Sequence, residues 1–515
     1  MAFLRLHHKW LTILTVMIGS LMASLDVSIV NVAMPKMRGT LGASIEEMTS
    51  ISTAYILSAV IIMPLTAFLS SRFGRKRFYM FSVALFTAAS ALCGLAWNLE
   101  SMIAFRVLQG AGGGILIPVA QAILRETLPS GERGKAMGIY GFGVVLGPAV
   151  GPALGGWLTD HWSWQWIFYI NLPFGILSTM LVMRFIEDPP HLVRGKGKPD
   201  FAGIVLLMLG LGAFQIMLEK GPQNDWFQSE FILYTAVVSC AGLALFAWRE
   251  LTADDPAVDL RIFRNRNFAL ATFVGGILSL CLFGSLFILP FFLQNLLHYP
   301  AYDSGLAVLP RTVFMALSLL SAGRLYSKMG PRWMILIGTS ANVVSFFQFS
   351  CFSLDVGYWD LFFPQCLQGL GFGFIFVAVS AAAMSSIEKK LLTSATGLYN
   401  VVRQVCGSIG IALSGTLLTR GEEGCRSMLI RHVTEYKETA MELLGTVSSH
   451  LAYQGADPVT AKEMALKLLD GIVVRHSSML SFNKVFFVIT VLFLLSMPLI
   501  PMMNDVRFKS GNQMT

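Results

Sequence analysis

Fourteen stretches of roughly 18–25 mostly apolar residues, each long enough to cross ~30 Å of hydrocarbon, recur from end to end of this chain. They lie near 9–30, 49–70, 78–97, 102–124, 136–158, 166–186, 201–219, 231–249, 268–290, 305–322, 333–354, 359–381, 394–418 and 482–503. In lipid, a backbone must satisfy its hydrogen bonds within the segment, which leaves helices or a closed barrel. Segments this long and this apolar are helices, so the expected fold is an all-α integral membrane protein. At 55% hydrophobic and 13% charged, with mean hydropathy +0.64, the chain is too apolar for a soluble protein of its length.

The basic residues order these spans. With the N-terminus taken as cytoplasmic, the inside segments hold 23 basic residues: Arg5, Lys9; Arg72, Arg75, Lys76, Arg77; Arg125, Arg133, Lys135; Arg194, Lys196, Lys198; Arg249, Arg261, Arg264, Arg266; Arg324, Lys328, Arg332; Lys389, Lys390; Arg507 and Lys509. The short outside loops hold only Lys36, Arg38 and Lys220. The positive-inside rule then predicts both termini inside. The net charge of +8 is accounted for by topology and anionic lipid, with no need for nucleic acid. The first span follows a short basic start, but its apolar run is too long for a signal peptide and no cleavage site follows. Six of seven cysteines fall in spans, and only Cys425 lies in an outside loop. That pattern implies neither a disulfide framework nor a Cys/His metal site.

Residues 143–157, GVVLGPAVGPALGGW, carry Gly or Pro at seven of fifteen positions inside an apolar span. Gly143, Gly147, Gly151 and Gly155 are four apart and form one smooth helix face, with Gly156 beside it. Pro148 and Pro152 mark where the helix bends. Small residues let helices approach closely in lipid. A smooth, bent span suits a helix that packs and slides, as in a transporter.

The chain also repeats itself. A small-x-Leu-x-Ser-basic-x-Gly-x-basic pattern ends span 2 (67–76) and span 10 (323–332). LQGAG at 108–112 matches LQGLG at 367–371, and AMGIY at 136–140 matches ATGLY at 395–399. The offsets, 256 and 259 residues, relate spans 1–6 to spans 9–14 and leave spans 7 and 8 as an insertion. The expected domains are a six-helix bundle at 1–186, an inserted pair at 187–267, and a second bundle at 268–515. Parallel repeats with a site between them describe a rocking secondary transporter.

These features resemble the fourteen-helix drug:proton antiporter branch of the major facilitator superfamily, the EmrB/QacA type. The resemblance rests on LDVSIVNVAMP (25–35), SSRFGRKR (70–77), FRVLQGAGGG (105–114), the Gly/Pro run and WIFYINLPFG (166–175). NDWF (224–227) and RQVCGSIGIAL (403–413) add to it. It implies the major facilitator fold, a proton gradient as the energy source with no cofactor, and a multi-pass place in a bacterial inner membrane. It further implies that the Gly/Pro run is the antiporter signature. A periplasmic adaptor and an outer-membrane channel are partners of some family members. Ser71 stands where the superfamily usually has Asp, Ala67 where it has Gly, and Cys406 where the branch has Gly.

Ionisable groups inside spans cost at least ~2.5 kcal/mol each at the bilayer centre and so mark function or pairing. Asp26 in span 1 and Arg106 in span 4 fall at equal depth, which permits an ion pair. Moving one relative to the other changes how readily the carboxylate takes up a proton, as proton coupling requires. A purely structural pair is the alternative. Arg403, with Gln404, lies near mid-depth and fits either contact with an anionic substrate or a tie between the halves. Arg311 follows Pro310 near a span end and reads as a side chain reaching for interface water. Asn31, Tyr55, Gln109 and Gln215 are candidates to line a substrate cavity or to serve as local hydrogen-bond partners. The echo between Arg72, Gly74, Arg75 and Lys328, Gly330, Arg332 points to a pair of cytoplasmic gating loops.

Segment 419–481 reads as a long outside loop in which Asp457-Pro458 starts an amphipathic helix. The chain carries no phosphate-binding GxxxxGK[ST] motif, no nucleophile constellation and no metal-ligand spacing, so neither ATP-driven export nor an enzyme is expected. The expected function is a proton-coupled exporter of hydrophobic compounds. One intramembrane acid against three arginines favours neutral or weakly acidic amphiphiles over dications. A facilitator or exporter of a specific metabolite or lipid is the alternative.

Overall fold

The computed structural model describes residues 2–43, 45–188, 200–253, 256, 258–388, 391–431, 433, 438–454 and 457–503. Among these, fourteen helices are long and apolar enough to cross a membrane. They are α1 (Trp10–Leu41), α2 (Glu47–Phe73), α3 (Arg75–Gly94), α4 (Leu99–Thr127), α5 (Lys135–His161), α6 (Trp166–Phe185), α7 (Phe201–Lys220), α8 (Glu230–Thr252), α9 (Arg266–Leu296), α10 (Asp303–Tyr326), α11 (Lys328–Ser350), α12 (Tyr358–Ser385), α13 (Leu392–Ile430) and α15 (Pro458–Leu499). A further helix, α14 (Glu438–Tyr453), lies between the last two. Successive spans alternate in direction. The face on which α1 begins is called the near face and its opposite the far face. Of the basic residues that suggested the topology, Arg194, Lys196, Lys198, Lys389, Lys390, Arg507 and Lys509 lie outside the described residues.

In the first half, α1 packs along α5, and α4 packs against α2 and α3. The Gly/Pro run explains the first contact. A Cβ on Gly147 would stand 2.6 Å from the backbone nitrogen of Leu25, and one on Gly151 would meet the side chain of Ser28. Gly143 and Gly155 face Met17 and Ile29 in the same way. Gly156 does not share this face closely, since its nearest neighbour would be Val32 at 3.8 Å. Pro148 cannot donate to the carbonyl four residues back. Ser24 of α1 donates to that carbonyl, Val144 O, at 2.8 Å.

The second half repeats this plan, with α9 against α13 and α12 against α10 and α11. Gly74 and Gly330, the repeated loop glycines, adopt matching left-handed backbones with φ of 86° and 79°. Only glycine takes up this conformation freely, so each marks a required turn. Gly110 of α4 rests on the carbonyl of Tyr55, and its repeat mate Gly369 of α12 rests on the carbonyl of Arg311. Tyr55 and Arg311 are themselves related by the 256-residue offset.

The inserted helices α7 and α8 pack together where Gly210 meets Gly242. Asp200 caps α7, accepting from Gly203 N at 3.0 Å, and pairs with Arg249 of α8 at 3.1 Å. Burial pushes the Asp200 carboxyl up, but Arg249 and the Gly203 amide outweigh it and hold the group below its usual range. α7 leans on α2 and α13 toward the far face. There Gln215 donates to Ser408 at 2.9 Å, and Thr53 donates to Glu219.

The segment expected as a long loop is largely helical. α13 continues to Ile430 without a break, and the amphipathic helix started by Asp457 runs unbroken into the last span. Asp457 caps it as expected, accepting from Val459 N at 3.2 Å. No proline interrupts residues 419–430, and a bilayer needs only about 20 residues of a helix, so the surplus projects from the far face. Arg426 pairs with Asp470 at 2.7 Å, and Ser478 donates to Glu422 at 2.7 Å, joining α13 to α15 in this projection.

Candidate transport site

Asp26 lies at the middle of α1, and its side chain is fully buried. Arg106 reaches it from α4, with Nη1 2.5 Å from Oδ2. The same Nη1 donates to Gln109 Oε1 at 2.7 Å, and Gln109 Nε2 returns to Asp26 Oδ1 at 2.9 Å. The spacing of three places Arg106 and Gln109 on one face of α4, so both meet one carboxylate. Arg106 Nε donates to the carbonyl of Ile51 at 3.3 Å, and the guanidinium stacks over the Tyr55 ring at 4.4 Å. Ser90 of α3 accepts from Gln109 at 3.1 Å and from Asn171 of α6 at 3.0 Å. Asn171 also stands 3.5 Å from Asp26 Oδ1. Five helices thus converge on one ion pair in the far-face half of the first bundle.

Nothing in the sequence marks Ser90 and Asn171. Short polar side chains are common in spans and usually bond within their own helix, and only the fold shows these two turned toward Asp26. Tyr55 and Gln109, expected as lining candidates, belong to this cluster. Gln215 is committed to α13. Asn31 is exposed and accepts from Ser52 of α2 at 3.3 Å.

Arg403 is half-buried on α13. Its Nε donates to Ser279 of α9 at 3.1 Å, and its guanidinium lies 4.8 Å from the Phe376 ring and 5.6 Å from the Tyr399 ring. No carboxylate lies within ion-pair distance of it among the described residues. Gln404 beside it is also half-buried. Arg311 departs from expectation. It is 4% exposed and donates from Nη1 to Gln368 Oε1 at 3.3 Å, so it does not reach interface water. The close α10–α12 packing at Gly369 encloses it.

At the near face, Arg75 is buried and paired with Glu126 of α4. Asp188 accepts from Lys76 N at 2.8 Å and leaves no room for a Cβ on Gly74. In the second half, Arg332 donates to the carbonyl of Met503 at 2.5 Å. Arg72 and Lys328 are exposed. Glu126 sits just beyond the expected end of its span, where a carboxylate is ordinary and carries no signal in the sequence. The two halves join on this face. Asn400 donates to Gln121 at 2.9 Å, and Arg125 donates to the carbonyl of Ser380. Gly138 fits against the carbonyl of Leu319, and Gly397 against Met63 and Thr66.

Two repeated halves that join on the near face, with a buried charge network inside the first, have the form of a secondary transporter. The sequence matches the Major Facilitator Superfamily over residues 16–411. The chain belongs to that superfamily. It is 30% identical to the fatty acid resistance protein FarB of Neisseria gonorrhoeae, over 95% of each chain. It is 34% identical to the multidrug export protein EmrB of Haemophilus influenzae, over 82% of this chain and 83% of that one. Such likeness puts it in the EmrB-type branch. The human organic anion transporter MFSD10 has the same fold, with a TM-score of 0.59 at 14% identity over 94% of this chain and 99% of that one.

Proposed function

We propose that this protein is a proton-coupled exporter of hydrophobic compounds, working by alternating access and favouring neutral or weakly acidic amphiphiles. The observation that carries the reading is the buried Asp26–Arg106 pair, which ties α1 to α4. A proton arriving on Asp26 neutralises the carboxylate, weakens its hold on Arg106 and loosens α1 from α4. α1 is gripped along its other side by the glycine face of α5, so a change at Asp26 acts on the packing of two spans. The near-face gating role of the two glycine loops is supported by their matched backbones and by the contacts that join the halves there.

Arg403 supplies a half-buried cation, cradled by aromatic rings, suited to an anionic head group on a greasy molecule. The names of the relatives agree with this chemistry, since one confers fatty acid resistance and another exports multiple drugs. The excess of basic residues near this face argues that it is cytoplasmic. We read the protein as residing in a bacterial inner membrane, and its far-face projection as the natural place for a periplasmic adaptor leading to an outer-membrane channel.

The test is transport in proteoliposomes under an imposed proton gradient, comparing laurate with tetraphenylphosphonium. Gradient-driven laurate movement that Asp26→Asn abolishes while laurate binding survives supports the mechanism, and Arg403→Gln should lower laurate transport selectively. Transport indifferent to the gradient and to Asp26→Asn means a facilitator. Preference for the cation overturns the substrate class.

A further inference from the structure

The internal repeat places a second buried polar cluster in the second half, and its charge differs from the first. By the offsets of 256 and 259 residues, Tyr55, Arg106 and Gln109 correspond to Arg311, Gln365 and Gln368. The cation has moved from the α4 position to the α2 position, and the acid has no counterpart, because α9, the mate of α1, carries no Asp or Glu between Arg266 and Phe291. In the first half Arg106 and Gln109 meet the Asp26 carboxylate, and the Tyr55 ring lies against the Arg106 guanidinium at 4.4 Å. Their mates are as deeply buried, with Arg311 4% exposed, Gln365 0% and Gln368 1%.

The hydrogen-bond accounting at this second cluster is incomplete. Arg311 has five N–H donors, and one of them, on Nη1, meets Gln368. No carboxylate lies within ion-pair distance of it among the described residues. Both polar side-chain atoms of Gln365 are buried and lack a hydrogen-bond partner there. A guanidinium cannot shed its proton to escape burial. A buried charge of this kind is stabilised by a counter-ion, and a buried amide by a partner for its N–H.

We propose that Arg311, Gln365 and Gln368 form a binding site for a small inorganic anion of halide size, chloride in physiological solution. The anion accepts from the free N–H groups of Arg311 and from Gln365 Nε2, standing where the Asp26 carboxylate stands in the first half. Its small size follows from the burial of all three side chains, which leaves no room for a larger organic anion. The site is independent of the compounds the transporter exports.

The test measures thermal unfolding of the purified full chain in detergent at constant ionic strength, in sodium chloride, sodium bromide and sodium gluconate. Ligand linkage predicts a midpoint several degrees higher in either halide, saturating with concentration. Arg311→Gln should erase the difference between halide and gluconate. Gln365→Glu supplies a fixed carboxylate beside the guanidinium, so its midpoint in gluconate should rise to the halide value and lose halide dependence. That variant decides the matter even where Arg311→Gln fails to fold. Equal midpoints for the unaltered protein in halide and gluconate, or a halide effect that survives Gln365→Glu unchanged, overturns the proposal.

Discussion

Arg106 is held between a carboxylate, a carboxamide, a backbone carbonyl and an aromatic ring, and each contact depends on the others. Removing one partner of a buried pair leaves an uncompensated charge, at a cost of about 3–5 kcal/mol. Asp26→Asn is therefore expected to lower stability by that order, and Asp26→Asn with Arg106→Gln to recover much of it. Thermal unfolding in detergent of the two single variants and the double variant checks this. Equal losses in the double variant and in Asp26→Asn would mean that the ion pair is not the source. At this scale the sequence was informative where charge was concerned. Asp26 and Arg106 stand out because charge in an apolar span is costly wherever it sits. Ser90 and Asn171 did not stand out, because their residue types carry no such cost. Arg311 lies near a span end yet is shut off from water, because burial is set by packing between helices and not by position along one of them.

Among the elements, α5 shows most directly how composition sets packing. Gly147 lets the α1 backbone within contact distance, while Gly156, only nine residues on, touches nothing closely. Gly147→Ala should overpack the α1–α5 contact by about 1–3 kcal/mol and slow transport. Gly156→Ala should leave both nearly unchanged. A matched pair of unfolding midpoints and export rates tests the contrast, and indifference at Gly147 would count against close α1–α5 contact. The smooth face was legible from glycine spacing alone, though not which helix it faces, since spacing gives a face and only the fold gives its neighbour. The extension of α13 was not legible, because LLTRGEEGCRSMLI is too polar to read as a span and no breaker marks its true end.

In the whole molecule, the halves meet at the near face through Asn400, Arg125, Gly138 and Gly397, while α7 stands between α2 and α13 toward the far face. This is a state closed on the near side. A larger side chain at Gly397, where even a Cβ would stand only 3.0 Å from Met63 O and Thr66 Oγ1, should wedge that closure open. Spin labels on cysteines placed at exposed positions 73 and 333, in a background without the native cysteines, should move apart in Gly397→Val. Pulsed electron resonance distances identical to those of the parent protein would refute the wedge. The fourteen-span architecture and its duplication were readable because span length and repeated motifs are properties of the chain itself. The closed face was not, because the same sequence must also form the other state of the cycle.

The unbroken helices that rise from the far face also act as a lever. α13 and α15 belong to the second half, and a helix the length of α13, 39 residues, extends roughly 58 Å. Rigid-body transitions can rotate one unit against another by about 15°. A swing of that size about the near end would sweep the tip of α13 through on the order of 10 Å. A small tilt within the bilayer thus becomes a large displacement outside it, and whatever grips that tip would feel every stroke.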